Sequence, residues 1–354
     1  MPLPYLTLAQ APLTCEIDAV NEYGEPQRIS IPAERALTVY VDKRELVTLM
    51  TLGAHPELLV LGYLRNQRLV SSVHDIESIT VDWGVGAAAV KTRHGIEDID
   101  ENTSRRVVTT GCGQGSVFGG LMDEVDQIVL PPKAGITQSQ LYGLVNTIRL
   151  KETTYKSAGS VHACALFDVA SAEPEMLLFI EDVGRHNAID TIAGWMWMNM
   201  APTLATASAA LPLEGSGLAW GGPALRPLAP RLDASDAVQS TSQGLVFYTT
   251  GRLTSEMVIK SAQMGVPVVV SRSGITQMGH QVAQAVGLCA IGRATNKRFL
   301  CYSHPQRLKL QAGLAVKPDL KVEPRAENKA ELKAELKAEL KAELKAELKA
   351  EQGA

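Results

Sequence analysis

From Val161 onward, short apolar runs alternate with helical segments, and that alternation leaves few architectures open to the chain. Val161–Phe167, Met176–Ile180, Leu245–Thr249, Val266–Ser271, Leu288–Ile291 and Arg298–Tyr302 read as strands. Arg185–Met198, Thr254–Met264 and Thr276–Val286 carry apolar residues at helical spacing, and Gly265 follows the second of them as a stop. A further helix over Gln138–Leu150 starts at Thr137, whose hydroxyl can cap it. Strands alternating with helices of roughly ten to fifteen residues build a layered sheet with helices packed on it. The expected class is α/β, with α+β character from the first third of the chain.

That first third is β-rich. Residues 13–44 read as strands, with β-branched and aromatic residues alternating over Leu37–Val41. Pro56 suits a first helical turn and Glu57–Asn66 continues it, while Ser78–Asp82 and Ala87–Thr92 are further strands. A chain of 354 residues predicts about two domains. They are expected at 1–125, a β-rich domain ending in a cysteine-bearing loop, and at 126–310, the α/β domain, with residues 123–137 connecting them. Residues 201–243 are rich in Ala, Pro, Gly, Ser and Leu without a sustained period, and read as a disordered surface insertion. In the tail, 311–354, the unit Lys-Ala-Glu-Leu repeats from Lys329 to Glu351. Its four-residue period stacks like charges and turns the leucines by about 40° per repeat, so a frayed solvent helix without a coiled-coil seam is expected.

The five cysteines, Cys15, Cys112, Cys164, Cys289 and Cys301, are odd in number and scattered, with no C-x-x-C. That argues against a disulfide framework and fits a reducing, cytoplasmic setting. The first residues lack a basic stretch followed by an apolar core, so no secretory signal is expected. Thr191–Leu213 is uncharged, but Asn199, Pro202 and Pro212 make it only mildly apolar, and no membrane span is expected. A formal charge of −4 and 5% aromatics supply neither a field for polyanions nor stacking platforms, so nucleic acid is not an expected partner. Any phosphate-bearing ligand must be gripped by a local cluster.

Several segments carry such chemistry. Cys112 sits in Thr110-Gly111-Cys112-Gly113-Gln114-Gly115-Ser116, after a strand-like run ending at Thr109. Flanking glycines leave a thiol poorly shielded, and an exposed thiolate is a nucleophile; a small residue at a tight turn explains the pattern equally well. His162 and Cys164 share one face of a strand, with no C-x-x-C or H-x-x-x-H to complete a metal site; Cys164 reads as packing, while His162 is open between packing and function. Glu181-Asp182-Val183-Gly184-Arg185-His186-Asn187 ends a strand, turns and opens a helix, where ligands of α/β proteins and anions bind; helix capping by Asp182 accounts for part of it. Thr249-Thr250-Gly251-Arg252 and Ser271-Arg272-Ser273-Gly274 repeat the device. Three such turns suggest a ligand with several phosphates. Arg293–Arg298 adds three cations between two strands, which taken alone is a solvated hairpin tip.

Glu181–Ala188, Gly251-Arg252 with Ser255–Val258, Gly287-Leu288 with Ile291-Gly292, and Tyr302–Arg307 together resemble the FdhD family, accessory sulfurtransferases of formate dehydrogenase. The likeness includes Glu34–Val39 and the cysteine loop, and covers roughly residues 12 to 310 apart from the insertion. The resemblance implies a C-terminal domain of cytidine deaminase-like fold without that enzyme's zinc signature, so no metal ligand is assigned. It implies that Cys112 takes sulfur as a persulfide from a cysteine desulfurase. The sulfur then passes to a molybdenum cofactor carrying two molybdopterin guanine dinucleotides, before insertion into formate dehydrogenase. Arg293, Ala294, Thr295, Asn296, Lys297 and Arg298 match the region that binds this cofactor, and His186, Arg252 and Arg272 are the candidate grips from the turns. Where some members have C-x-x-C in the loop, this chain has Gly115, so only a single-cysteine carrier is consistent with it. The alternative reading is a cofactor-binding chaperone that moves no sulfur. The sequence leaves the assembly open, and a homodimer gripping cofactor across its boundary is the expectation.

Overall fold

Helix α1 (Pro56–Asn66) is apolar on nearly every side, and a helix of that kind has to be buried all round. In the computed structural model, which describes residues 2–96, 107–108, 115–116, 125, 128–151, 153–200 and 244–314, it is. Cys112, the insertion 201–243 and the repeat tail lie outside the described residues. Residues 1–309 form one compact unit and 310–354 another.

The N-terminal strands are β1 (Tyr5–Leu6), β2 (Thr14–Val20), β3 (Pro26–Pro32), β4 (Arg35–Val41), β5 (Arg44–Thr51), β6 (Ile76–Asp82) and β7 (Ala87–Thr92). Five of them form a sheet in the order β1-β6-β7-β4-β5, and β2 with β3 makes a separate, largely exposed hairpin. The inward residues of the sheet, among them Leu37, Val39, Leu49, Ile79 and Val90, bury against Leu59, Leu61, Tyr63 and Leu64 of α1. A fully buried side chain of that size stabilises by roughly 1.5–3 kcal/mol. Short β8 (Val107–Val108) and β9 (Gly115–Ser116) pair antiparallel on either side of the segment that holds Cys112.

The second sheet takes β11 (His162–Asp168), β12 (Glu175–Asp182), β13 (Leu245–Thr249), β14 (Val268–Ser271), β15 (Cys289–Thr295) and β16 (Arg298–Cys301), in the order β12-β11-β13-β14-β15-β16. β10 (Ile136–Thr137) pairs with β17 (Leu308–Lys309) to one side. Helix α2 (Gln138–Leu150) packs on one face through Leu141, Leu144 and Val145. Its predicted cap is realised: Thr137 Oγ1 accepts from the Gln140 N–H, and Gln140 Oε1 accepts from the Thr137 N–H. Helices α4 (Arg185–Met200), α5 (Ser255–Gln263) and α6 (Gln277–Ala285) cover the other face through residues such as Ile189, Ile192, Met257 and Val282; α3 (Thr154–Ala158) is a single short turn. This is the mixed α/β architecture expected. Strand β14 starts two residues later than expected, at Val268, because Pro267 has no N–H for a ladder. β15 runs further than expected, to Thr295, so most of the Arg293–Arg298 segment is strand and not connecting loop.

The two sheets share their central helices. α1 and α4 cross where Gly62 meets Gly194: a Cβ on Gly62 would overlap the Asp190 carbonyl oxygen, and one on Gly194 the Leu58 carbonyl. Trp197 and Met198 of α4 then reach the core of the first sheet.

Candidate functional site

β13, β14 and β15 are parallel, so Thr249, Ser271 and Thr295 end on one edge. β11 runs against β13 and starts on that edge at His162, and β12, antiparallel to β11, ends there at Asp182. Sheet topology therefore gathers the three turns singled out in the sequence, at the end of the strands where α/β sheets bind ligands.

Hydrogen bonds fix the shape of these turns. Thr249 Oγ1 accepts from the Gly251 N–H at 3.0 Å, Ser271 Oγ donates to the Gly251 carbonyl at 2.7 Å, and Ser271 Oγ accepts from the Ser273 N–H at 2.9 Å. Asp182 Oδ1 accepts from the Gly184 N–H at 3.0 Å and from Asn187 Nδ2 at 2.8 Å, while its Oδ2 takes the Thr51 hydroxyl at 2.5 Å and the Leu52 N–H at 3.1 Å. Asp182 thus caps its own turn and ties it to the end of β5. Burial pushes its carboxyl above the usual range, against the pull of these four donors.

A cavity of about 640 Å³ opens between this edge and α2. Arg272, Ser273, Ala294, Thr295 and Asn296 line it from the strand ends, His162, Glu181 and Thr250 from the neighbouring turns, and Arg149, Lys151 and Lys156 from the α2–α3 side. Four cationic side chains face one carboxylate, and that carboxylate is already engaged: Glu181 accepts from the Thr154 N–H at 2.6 Å and the Tyr155 N–H at 3.1 Å. The Arg272 N–H donates to the Thr249 carbonyl at 3.0 Å, while its guanidinium makes no hydrogen bond or ion pair with any described residue. Lys151 lies 5.1 Å over the Phe179 ring. The volume is that of a small-ligand pocket, and its excess of cationic side chains suits an anion. His162 is held below its ordinary pKa by burial and then by Arg185 and Arg252, so it enters the cavity neutral.

The hairpin between β15 and β16 carries a bulge beside the cavity. Arg293 takes a left-handed conformation (φ 52°) at a bulge between Gly292 and Thr295, and its N–H donates to the Ser273 carbonyl at 2.6 Å. Asn296, at the tip, is also left-handed (φ 51°), which asparagine tolerates well.

The structure separates the expected binding residues. Arg272, Ala294, Thr295 and Asn296 line the cavity; Arg252, Arg293, Lys297 and Arg298 are exposed but are not among its lining residues. His186 sits elsewhere, 5% exposed beneath the turn, with Nε2 3.4 Å from Glu256 Oε2. Beyond it Glu256 Oε1 lies 3.3 Å from Lys260 Nζ, Lys260 Nζ 2.9 Å from Asp190 Oδ2, and Asn66 Nδ2 donates to Asp190 Oδ1 at 2.7 Å. Lys260 and Asp190 are fully buried, and the two carboxylates hold the Lys260 ammonium charged despite its burial. Burial pulls His186 down to about 3, so it is neutral. Cys164 is core: its thiol meets Thr249 Oγ1 at 3.3 Å and burial pushes it up to about 12. Among the described residues no three His, Cys, Asp or Glu side chains stand together to hold a metal, and no helix is long and apolar enough to cross a membrane. Lys151 and Lys156, with Arg149, were not singled out by the sequence, while Glu181, Thr250 and Ser273 lay in the marked turns without being named as grips. The signal for the first two was a pair of lysines flanking the capping Thr153, between a long helix and a strand.

Comparison with known proteins agrees with this architecture. A sulfur carrier protein FdhD of Bacillus subtilis (strain 168) is 28% identical over 297 residues, covering 81% of this chain and 94% of that protein. One of Staphylococcus haemolyticus (strain JCSC1435) is 26% identical over 295 residues, covering 82% and 96%. The crystal structure of a putative formate dehydrogenase accessory protein from Desulfotalea psychrophila superimposes with a TM-score of 0.58 at 18% identity, covering 84% of this chain and 100% of that one, and so shares its fold. The model of the FdhD/NarQ family matches residues 32–210 and 236–309, covering the second sheet, all of the first but β1, and every turn of the cavity edge, and the chain belongs to that family.

Proposed function

We propose that this protein carries sulfur for the maturation of a formate dehydrogenase. Cys112 is the acceptor: its thiolate attacks the outer sulfur of a persulfide on a cysteine desulfurase, that S–S bond breaks, the desulfurase thiolate leaves, and Cys112 holds the persulfide. The substrate that receives this sulfur is a molybdenum cofactor with two molybdopterin guanine dinucleotide arms. The observation that carries the reading is the cation-lined cavity at the strand ends, in a chain whose relatives are named sulfur carriers. Arg272, Lys151 and Lys156 meet phosphate oxygens there, and Thr295, Asn296 and Thr250 offer polar groups to the remainder of one nucleotide arm.

Desulfurase and cysteine are expected to add one sulfur to the intact protein and none to Cys112→Ala. Equal mass gain in both would remove Cys112 from the mechanism. Full restoration of formate dehydrogenase activity by Cys112→Ala would instead support a chaperone that binds cofactor without moving sulfur.

A further inference from the structure

Two cysteines outside the sulfur-accepting loop have been brought together by the fold. Cys289 on β15 and Cys301 on β16 are separated by 3.8 Å between sulfur atoms, and both are free thiols. The register pairs Ile291 with Cys301, so the two cysteines are diagonal neighbours on one face of the sheet. Cys289 is fully buried, whereas Cys301 is half-buried on the edge strand. We propose that Cys289 and Cys301 form a reversible dithiol–disulfide site, oxidised by low-molecular-weight disulfides through attack by Cys301.

The asymmetry of the pair assigns the roles. Cys301 is the thiol a small molecule can reach, and hydrogen bonding from Cys289 stabilises its thiolate, while the same contact and burial keep Cys289 protonated. Cys301 attacks one sulfur of a disulfide RSSR, that bond breaks, RS⁻ leaves and takes a proton, and Cys301 holds a mixed disulfide. Cys289 then loses its proton to solvent and attacks Cys301 Sγ. The second RS⁻ leaves, and the two protein thiols have given two electrons to RSSR. Diagonal strand neighbours have Cα atoms about 7–8 Å apart, beyond the roughly 4.4–6.8 Å usual for a disulfide, so closure requires β16 to move inward and leaves a bond that small thiols reduce readily. β16 has only one neighbouring strand to resist that shift. The bond would staple the base of the β15–β16 hairpin, whose tip carries Thr295 and Asn296 at the cavity border.

The test uses the full chain, treated with oxidised glutathione, blocked with iodoacetamide and digested with trypsin. Cleavage after Arg293, Lys297 and Arg298 separates the two cysteines. The expected product is a cross-linked pair of peptides about 2 Da lighter than their sum, lost on treatment with dithiothreitol. Cys289→Ser is expected to stop at the glutathione adduct of Cys301, and Cys301→Ser to leave Cys289 unmodified. The same cross-link in Cys112→Ala keeps this result separate from the sulfur-carrier reading. A stable Cys301 adduct in the wild type without any cross-link, or a cross-link formed only in denaturant, would overturn the proposal.

Discussion

The cavity edge and the chain from His186 to Asp190 are both dense in charge, a few residues apart in sequence, and they are built for opposite ends. In the buried chain each charged group faces another: Glu256 lies between His186 and Lys260, and Lys260 lies between Glu256 and Asp190. At the edge the excess is cationic, and its one carboxylate is consumed by backbone donors. Internal compensation marks structure, because a buried charge without a partner is not tolerated. An accessible excess of cations, the Arg272 guanidinium among them, marks a place where the partner arrives from outside.

The contrast is broken most sharply at Lys260. Lys260→Met leaves Asp190 and Glu256 buried without their cation, and a loss of about 3–5 kcal/mol in urea unfolding is expected. Arg272→Ala, at the other pole, should change stability by less than about 0.5 kcal/mol. Its effect appears in calorimetry with GDP, where one charge-assisted contact of about 1.5–3 kcal/mol predicts an affinity loss of roughly tenfold to a hundredfold. The same removal at Arg298, which does not line the cavity, should weaken GDP less; equal losses at both would enlarge the site to include the hairpin's outer face.

The third test is pH. His186 titrates near 6.5 when unfolded and at about 3 when folded, so between those values the unfolded chain binds one more proton. Stability from this residue is complete above 6.5 and is lost as pH falls below it, by up to about 1.4 kcal/mol per pH unit. Unfolding curves of His186→Gln should show a shallower acid slope than the wild type, and parallel slopes would mean that His186 is protonated in the fold. Smallest of all, Thr137→Ala removes the α2 cap and should cost about 1 kcal/mol without affecting the thiols.

Much of the fold was legible because its signals are local. The Thr137 cap, the ends of β13 and the alternation of β4 depend on residues a few positions apart. The turns were legible too, since Gly and Arg at strand ends mark them. The destination of each side chain was not: His186, at the start of α4, is buried, while Arg272, just after β14, is exposed at the cavity. That difference is set by α5, which brings Glu256 to His186 from seventy residues away in sequence. The cavity's lysines were hidden for a similar reason, because only sheet order brings the α2–α3 junction to the ends of β14 and β15.

The glycine crossing of α1 and α4 has a bearing on biosynthesis. The first sheet takes part of its hydrophobic cover from Trp197 and Met198, roughly a hundred residues after its last strand. A nascent chain that has released only its β-rich beginning therefore shows that surface to chaperones until α4 leaves the ribosome. Folding here has to wait on translation, and the two halves mature together.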